Sequence, residues 1–147
     1  MNPNVLVNRW AKCLASSVLL CIAGLASSQT IEPAQLAAVG AEVVAQVDSG
    51  RLGDLWNAAS PVTRQTVPKA QFIEGLAEAR KPLGAPSSRM WMMLARQQVG
   101  TEKGVMGGQY MSIEYQTSFA KGVIKRELVS FRLDEDKIWR FSGYLVR

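Results

Sequence analysis

Residues 111–119 read Met-Ser-Ile-Glu-Tyr-Gln-Thr-Ser-Phe: Met111, Ile113, Tyr115, Thr117 and Phe119 alternate with Ser112, Glu114, Gln116 and Ser118. Strict alternation is the pattern of a strand with one face buried and the other wet. It marks the second half of the chain as sheet. Upstream, from Ser88, Met90, Met92 and Leu94 alternate with Trp91 and Met93, which predicts a strand apolar on both faces and covered by helices on one. Between the two, Gly100 to Gln109 is a glycine-rich loop carrying Glu102 and Lys103. Downstream, a third strand is expected from about Ile124 to Leu133, with Glu127, Val129, Phe131 and Leu133 on one side. A polar turn at Asp134-Glu135-Asp136-Lys137 follows. Ile138 to Val146 then returns as the last strand, with Trp139, Phe141 and Leu145 on one face.

Before Ser88 the apolar period is helical. Glu32-Pro33 places proline where a first turn tolerates it, and Leu36, Val39, Val43, Val44 and Val47 form one stripe that Asp48-Ser49-Gly50 ends. Leu52, Leu55, Trp56 and Ala59 continue the spacing in a shorter piece closed by Ser60-Pro61, so these two segments are expected to make one bent helical unit. Thr66 before Pro68 opens another helix, with Phe72, Ile73, Leu76 and Ala79 on its apolar face and an end near Lys81-Pro82. Helices first and strands afterwards is the α+β order. The expectation is a single domain over 33–147, with helices from about 33 to 81 packed on a four-stranded antiparallel sheet from about 89 to 146.

Residues 1–28 read as a secretory signal peptide. Arg9 and Lys12 precede an uncharged, largely apolar run from Cys13 to Leu25, shorter than the ~20 residues a spanning helix needs. Small residues allow a cut after Ala26 or after Ser28, and no stable membrane span is expected after cleavage. Cys21 follows Leu20 and is itself followed by apolar sequence, unlike a lipid-bearing cysteine. Cys13 and Cys21 are the only cysteines in the 147 residues, so the cleaved chain would have no disulfide and no thiol chemistry. The localisation expected is periplasmic or secreted.

Composition narrows the chemistry further. With no histidine, the chain has no imidazole base and no histidine metal ligand. Against 12 Asp+Glu stand 17 Lys+Arg, and the bases are scattered apart from Arg80-Lys81 and Lys121 to Arg126. A nucleic-acid face needs a continuous basic stripe with stacking aromatics, so no nucleic-acid partner is expected. Lys121, Lys125 and Arg126 read as solvated loop charge. Asp134, Glu135 and Asp136 lack the glycine and ligand spacing of a calcium loop and read as a solvated turn. No metal and no cofactor is expected. Trp56, Trp91 and Trp139 read as core fillers.

Glu127 stands apart because it shares a strand face with Val129, Phe131 and Leu133. A buried carboxylate needs a partner, and Arg80 and Arg89, flanking the helix-to-strand turn, are the bases at the edge of that layer. The expected arrangement is an Arg80 or Arg89 pair with Glu127. Arg80, Arg89, Tyr115, Glu127 and Tyr144 are also the candidates for lining a ligand pocket, and Glu127 with Tyr115 or Tyr144 is the one acid–tyrosine pair an isomerase-type mechanism could use. No catalytic residue is assigned.

Several stretches together resemble a bacterial family known as domain of unknown function 4019. They are Asp48-Ser49-Gly50, Trp56, Arg80-Lys81-Pro82-Leu83-Gly84, Ser88-Arg89, Gly108-Gln109-Tyr110, Thr117-Ser118-Phe119, Glu127 and Trp139-Arg140-Phe141-Ser142-Gly143-Tyr144. The similarity covers most of residues 35 to 147. Phe72 stands where the family usually has tryptophan, and Leu128 where it has threonine. The resemblance implies a curved, cystatin-like or nuclear-transport-factor-2-like helix-on-sheet fold, a class that hosts isomerases, dehydratases and catalytically silent modules alike. The function expected is a non-catalytic exported interaction or small-ligand-binding module of the bacterial cell envelope. The alternative is a small cone-shaped enzyme of isomerase or dehydratase type using Glu127 and a tyrosine. The partner is an envelope protein or a small apolar ligand, and a homodimer is left open.

Overall fold

In the computed structural model, residues 31–101 and 106–147 are described. The signal-peptide reading of 1–28, and Glu102 and Lys103 of the glycine-rich loop, lie outside them. Helix α1, Pro33–Asp48, opens on the proline, and the Glu32 N–H donates to Gln35 Oε1 at 3.2 Å. It ends where Ser49 Oγ donates to the Ala45 carbonyl at 2.8 Å and Gly50 takes a φ of +71°. Leu36, Gly40, Val43, Val44 and Val47 are buried. Val39, expected on that stripe, is exposed, and Gly40 beside it faces the sheet closely instead.

Three short helices follow: α2, Leu52–Asn57, α3, Pro61–Thr66, and α4, Lys69–Arg80. The spacing predicts three helical segments with the first two joined as one; the structure has four described helices, and α3 is the addition. Residues 61–66 have no apolar repeat of their own, and a six-residue helix is too short to persist alone. Tertiary bonds hold it instead. The Ser60 N–H donates to the Phe141 carbonyl at 2.8 Å, and Thr63 Oγ1 donates to the Ser142 carbonyl at 3.1 Å. Trp56 packs partly buried against the core, its Nε1–H donating to the Val67 carbonyl at 3.0 Å.

The strands are β1, Pro86–Val99, β2, Gly108–Phe119, β3, Ile124–Leu133, and β4, Trp139–Val146, in the sheet order β1-β2-β3-β4 with every neighbour antiparallel. The expected α+β architecture, helices N-terminal to a four-stranded antiparallel sheet, is therefore what the chain forms. Lys121 at φ +63° and Gly122 at φ +74° turn β2 into β3. Ile113 pairs with Val129 and Tyr115 with Glu127 on the face toward the helices. Ile113, Tyr115 and Val129, with Met111, Phe131 and Phe141, meet Val43, Val44, Leu55 and Phe72 in one core. Phe72 and Phe141 touch edge-to-face, centroids 5.9 Å apart.

Two register shifts change which side chains look inward. In β4, Phe141 pairs with Phe131 and Gly143 with Ser130, so Ser142 is an extra residue. A bulge reverses the alternation beyond it. Leu145, expected on the face of Phe141, is consequently exposed, and Tyr144 takes the inward position opposite Val129. In β1, which also shifts between Pro86 and Ser88, the second shift lies between Trp91 and Met93. Trp91 is not the core filler expected: it lies at the sheet edge with 58% of its surface exposed, and Met90, Met92 and Met93 are exposed with it.

Gly40 measures how tightly α1 sits on β2. A Cβ there would lie 2.6 Å from the Tyr115 hydroxyl and 2.8 Å from Ile113 Cγ2, whereas one at Gly75 on α4 would meet nothing within 4 Å. Gly40→Ala is expected to destabilise by roughly 1–3 kcal/mol despite alanine's higher helix propensity. Gly75→Ala is expected to stabilise by about 0.5–1 kcal/mol. Urea unfolding of the two variants checks the contrast.

Candidate functional site

Glu127 sits in the middle of β3 with no exposed surface. Its Oε1 accepts from Arg80 Nη1 at 2.7 Å and from the Tyr144 hydroxyl. Its Oε2 accepts from Arg89 Nε at 2.8 Å and from the Thr117 hydroxyl. A carboxylate offers about four lone-pair sites, and these four donors fill them. The guanidiniums are joined in turn by Asp48 at the end of α1: Arg80 Nη2 reaches Oδ1 at 2.5 Å, and Arg89 Nη1 reaches Oδ2 at 2.8 Å. The Arg80 guanidinium also lies 4.5 Å from the centre of the Phe119 ring. Two carboxylates and two guanidiniums make the cluster neutral.

Burial works against the Arg89 cation, but hydrogen bonds to Asp48 and Glu127 overcome it and hold its pKa above that of a free guanidinium. Burial, and then the hydrogen bond to the Glu127 carboxylate, push the Tyr144 hydroxyl well above its usual 10.0. Tyr115 is also raised, chiefly by burial, with Arg89 opposing.

Of the five residues singled out from the sequence, Arg80, Arg89, Glu127 and Tyr144 are brought into direct contact. The expected choice of one arginine is replaced by both. Tyr115 lies opposite Glu127 on β2, but its hydroxyl is turned toward Gly40 and finds no hydrogen-bond partner among the described residues. Two members escaped sequence reasoning. Asp48 reads as part of a helix stop, yet an acid in the last turn opposes the helix dipole, and that mismatch is the signal that it serves something else. Thr117 is a hydroxyl on the apolar side of β2, which needs a buried acceptor.

A second polar cluster lies past the other end of β3. Asp134, expected in a solvated turn, is 3% exposed and accepts from Ser60 Oγ at 2.5 Å, Arg132 Nη1 at 2.9 Å and Arg140 Nη1 at 2.9 Å. It is drawn inward because Ser60, between α2 and α3, comes down onto this turn. Arg132 also binds Glu135 at 2.9 Å, and Arg140 binds Asp136 at 2.8 Å. The acids are thus paired off, and among the described residues no group of three or more is placed to hold a metal ion.

Two clefts flank the Glu127 cluster and share Asp48. One, about 500 Å³, lies between α1 and β1 and is lined by Ala41, Ala45, Arg89, Trp91 and Tyr115; the other, about 420 Å³, is lined by Leu76, Arg80, Lys81 and Gly84. Solvent reaches the rim at Asp48, whose side chain is 21% exposed, and does not reach Glu127.

A helix-on-sheet α+β domain held by a sealed arginine–carboxylate cluster is the class these features define. The family described as "Protein of unknown function (DUF4019)" matches over residues 39–144, a span that includes Asp48, both arginines, Thr117, Glu127 and Tyr144, and the chain belongs to it. No curated protein matches the chain at a meaningful level.

Glu127→Gln is expected to cost ~3–5 kcal/mol, as breaking a buried pair strands the remaining charge. In a double-mutant cycle with Arg80→Met, strong non-additivity is expected; additive effects would mean the two side chains do not act together. The tyrosine gives a pH test. A hydroxyl whose pKa is raised on folding keeps its proton longer in the native state, so its contribution is complete below pH ~10 and is lost as pH rises beyond it. Stability should fall in that alkaline window, and Tyr144→Phe should flatten the fall.

Proposed function

We propose that this protein is a non-catalytic interaction module exported to the cell envelope. The observation that carries the reading is the saturation of Glu127. The isomerase-type alternative asks this carboxylate to take a proton from a substrate, but every acceptor site is occupied by a donor of the chain and no surface of it is open. Tyr144 supports the same reading, because its raised pKa and its bond to Glu127 make it a poor proton donor to anything else. Such groups serve architecture. The helix-then-meander order is compatible with the cystatin-like class, whose members include silent partner modules, and export rests on the charged flank and short apolar run before residue 28. Among the described residues no helix is long and apolar enough to cross a membrane.

The test is native mass spectrometry of the protein expressed from its full-length coding sequence and recovered from the envelope. The expected result is a chain beginning at Ser27 or Gln29, without a bound small molecule, that forms protein cross-links through photoreactive side chains placed on its surface. A small molecule that is retained, and lost in Tyr144→Phe, would replace this reading with ligand binding. An intact Met1 or a lipid on Cys21 would overturn the export route.

A further inference from the structure

The two edges of the sheet are treated differently. That of β4 is held at Phe141 and Ser142, whose carbonyls accept from the Ser60 N–H and the Thr63 hydroxyl. That of β1 is bare: over Pro86–Val99 the strand pairs with β2 alone, and among the described residues no backbone hydrogen bond reaches it from elsewhere. Along this bare edge Met90, Trp91, Met92 and Met93 are 57%, 58%, 41% and 51% exposed. Natural edge strands are usually blunted by lysine, proline, a bulge or an inward charge, and in this run the shift between Trp91 and Met93 is the one such device. Here no charged residue stands between Arg89 and Arg96.

We propose that a second copy of this chain seats on the β1 edge, the two β1 strands running antiparallel about a twofold axis through Met90–Met93. A twofold contact must be self-complementary, and this stretch is. Centred there, the pairing sets Met90 opposite Met93 and Trp91 opposite Met92, so each indole meets a thioether of the other copy, a favourable sulfur–aromatic contact. The same register carries Arg89 opposite Leu94 and Arg96 opposite Ser87, so no like charges meet. Arg89 brings no free charge in any case, since Asp48 and Glu127 neutralise it.

The side chains at this edge supply part of the area that a stable interface needs. From their exposed fractions the four side chains offer roughly 400 Å², within the range of the largest apolar patch on ordinary monomers. Ala41 and Ala45 of α1, exposed beside Trp91 in the adjoining cleft, extend the surface toward the ~800 Å² per partner of a stable interface. The inference deepens the interaction-module reading and rests on it, naming the partner as the chain itself.

Sedimentation equilibrium of the full-length gene product at tens of micromolar decides it. The expected mass is twice that of the single chain. Met92→Lys should raise the dissociation constant roughly tenfold or more, because it places an unpaired charge at the centre of the contact. Leu145→Lys, an exposed position on β4, should leave the dimer intact. Circular dichroism confirms folding, and Met93→Lys carries the same test if Met92→Lys does not fold. A wild-type protein of single-chain mass, or a dimer unchanged by both β1 variants, overturns the proposal. Where the single chain cross-links from Met93 to a different protein, the second copy is wrong and the interaction-module reading stands. Where it retains a small molecule instead, both fail.

Discussion

Glu127 has left water completely, and an isolated carboxylate in that position would cost several kcal/mol or titrate to neutrality. What satisfies its oxygens is drawn from the whole fold: Asp48 from α1, Arg80 from α4, Arg89 from β1, Thr117 from β2 and Tyr144 from β4 converge on a residue of β3. No two neighbouring elements can satisfy it. The sheet without the helices has Arg89 but not Arg80 or Asp48, and the helices without the sheet have two opposite charges with no third partner. The cluster is complete only when α1 and α4 have docked in one register. A buried network of this kind adds little net stability over an apolar core, but it penalises every arrangement in which one member is missing.

The Asp134 cluster applies the same constraint beyond the far end of β3, seven residues and roughly 20 Å along the strand. There the helical connection is held by Ser60, and the sheet contributes Arg132 and Arg140. Between the two clusters the contact of helices with sheet is apolar, and at Gly40 it is close enough that a methyl group would not fit without movement. Helix layer and sheet are therefore fastened at both ends by charge and along the middle by packing. Sliding of one across the other would strand a carboxylate at each end.

The parts of this design legible from sequence are those with a period. Alternation in Met111–Phe119 gave β2, and the same pattern gave β3 with the bounds the structure has. The inward position of Glu127 followed from its phase with Val129 and Phe131. What could not be read was anything that breaks phase or joins distant segments. The Ser142 bulge inserts one residue and exchanges Leu145 for Tyr144, so continuing the alternation from Phe141 places the wrong residue inward. Helix α3 exists by courtesy of two β4 carbonyls and has no local signature. Asp48 and Asp134 looked like turn acids because both stand beside residues that do turn; only the arrival of arginines from far along the chain makes them interior. Trp91 failed for a different reason. Its apolarity was read as burial, but edge position decides exposure, and the order of strands is not written in the hydropathy of any one of them.

Net charge shows the same limit and also where recognition is left to occur. A formal +5 treats every ion as solvated. In the folded chain Arg80, Arg89, Arg132 and Arg140 are locked to Asp48, Glu127, Asp134 and Asp136, and Arg126 and Arg147 both reach Glu114 on the outer face of the sheet. Arginines engaged this way cannot supply the continuous basic stripe that a polyanion requires. Much of the charge thus works within the molecule, holding layers in register. Among the described residues, a run of four consecutive exposed apolar side chains on the β1 edge departs from what water favours and gains from being covered.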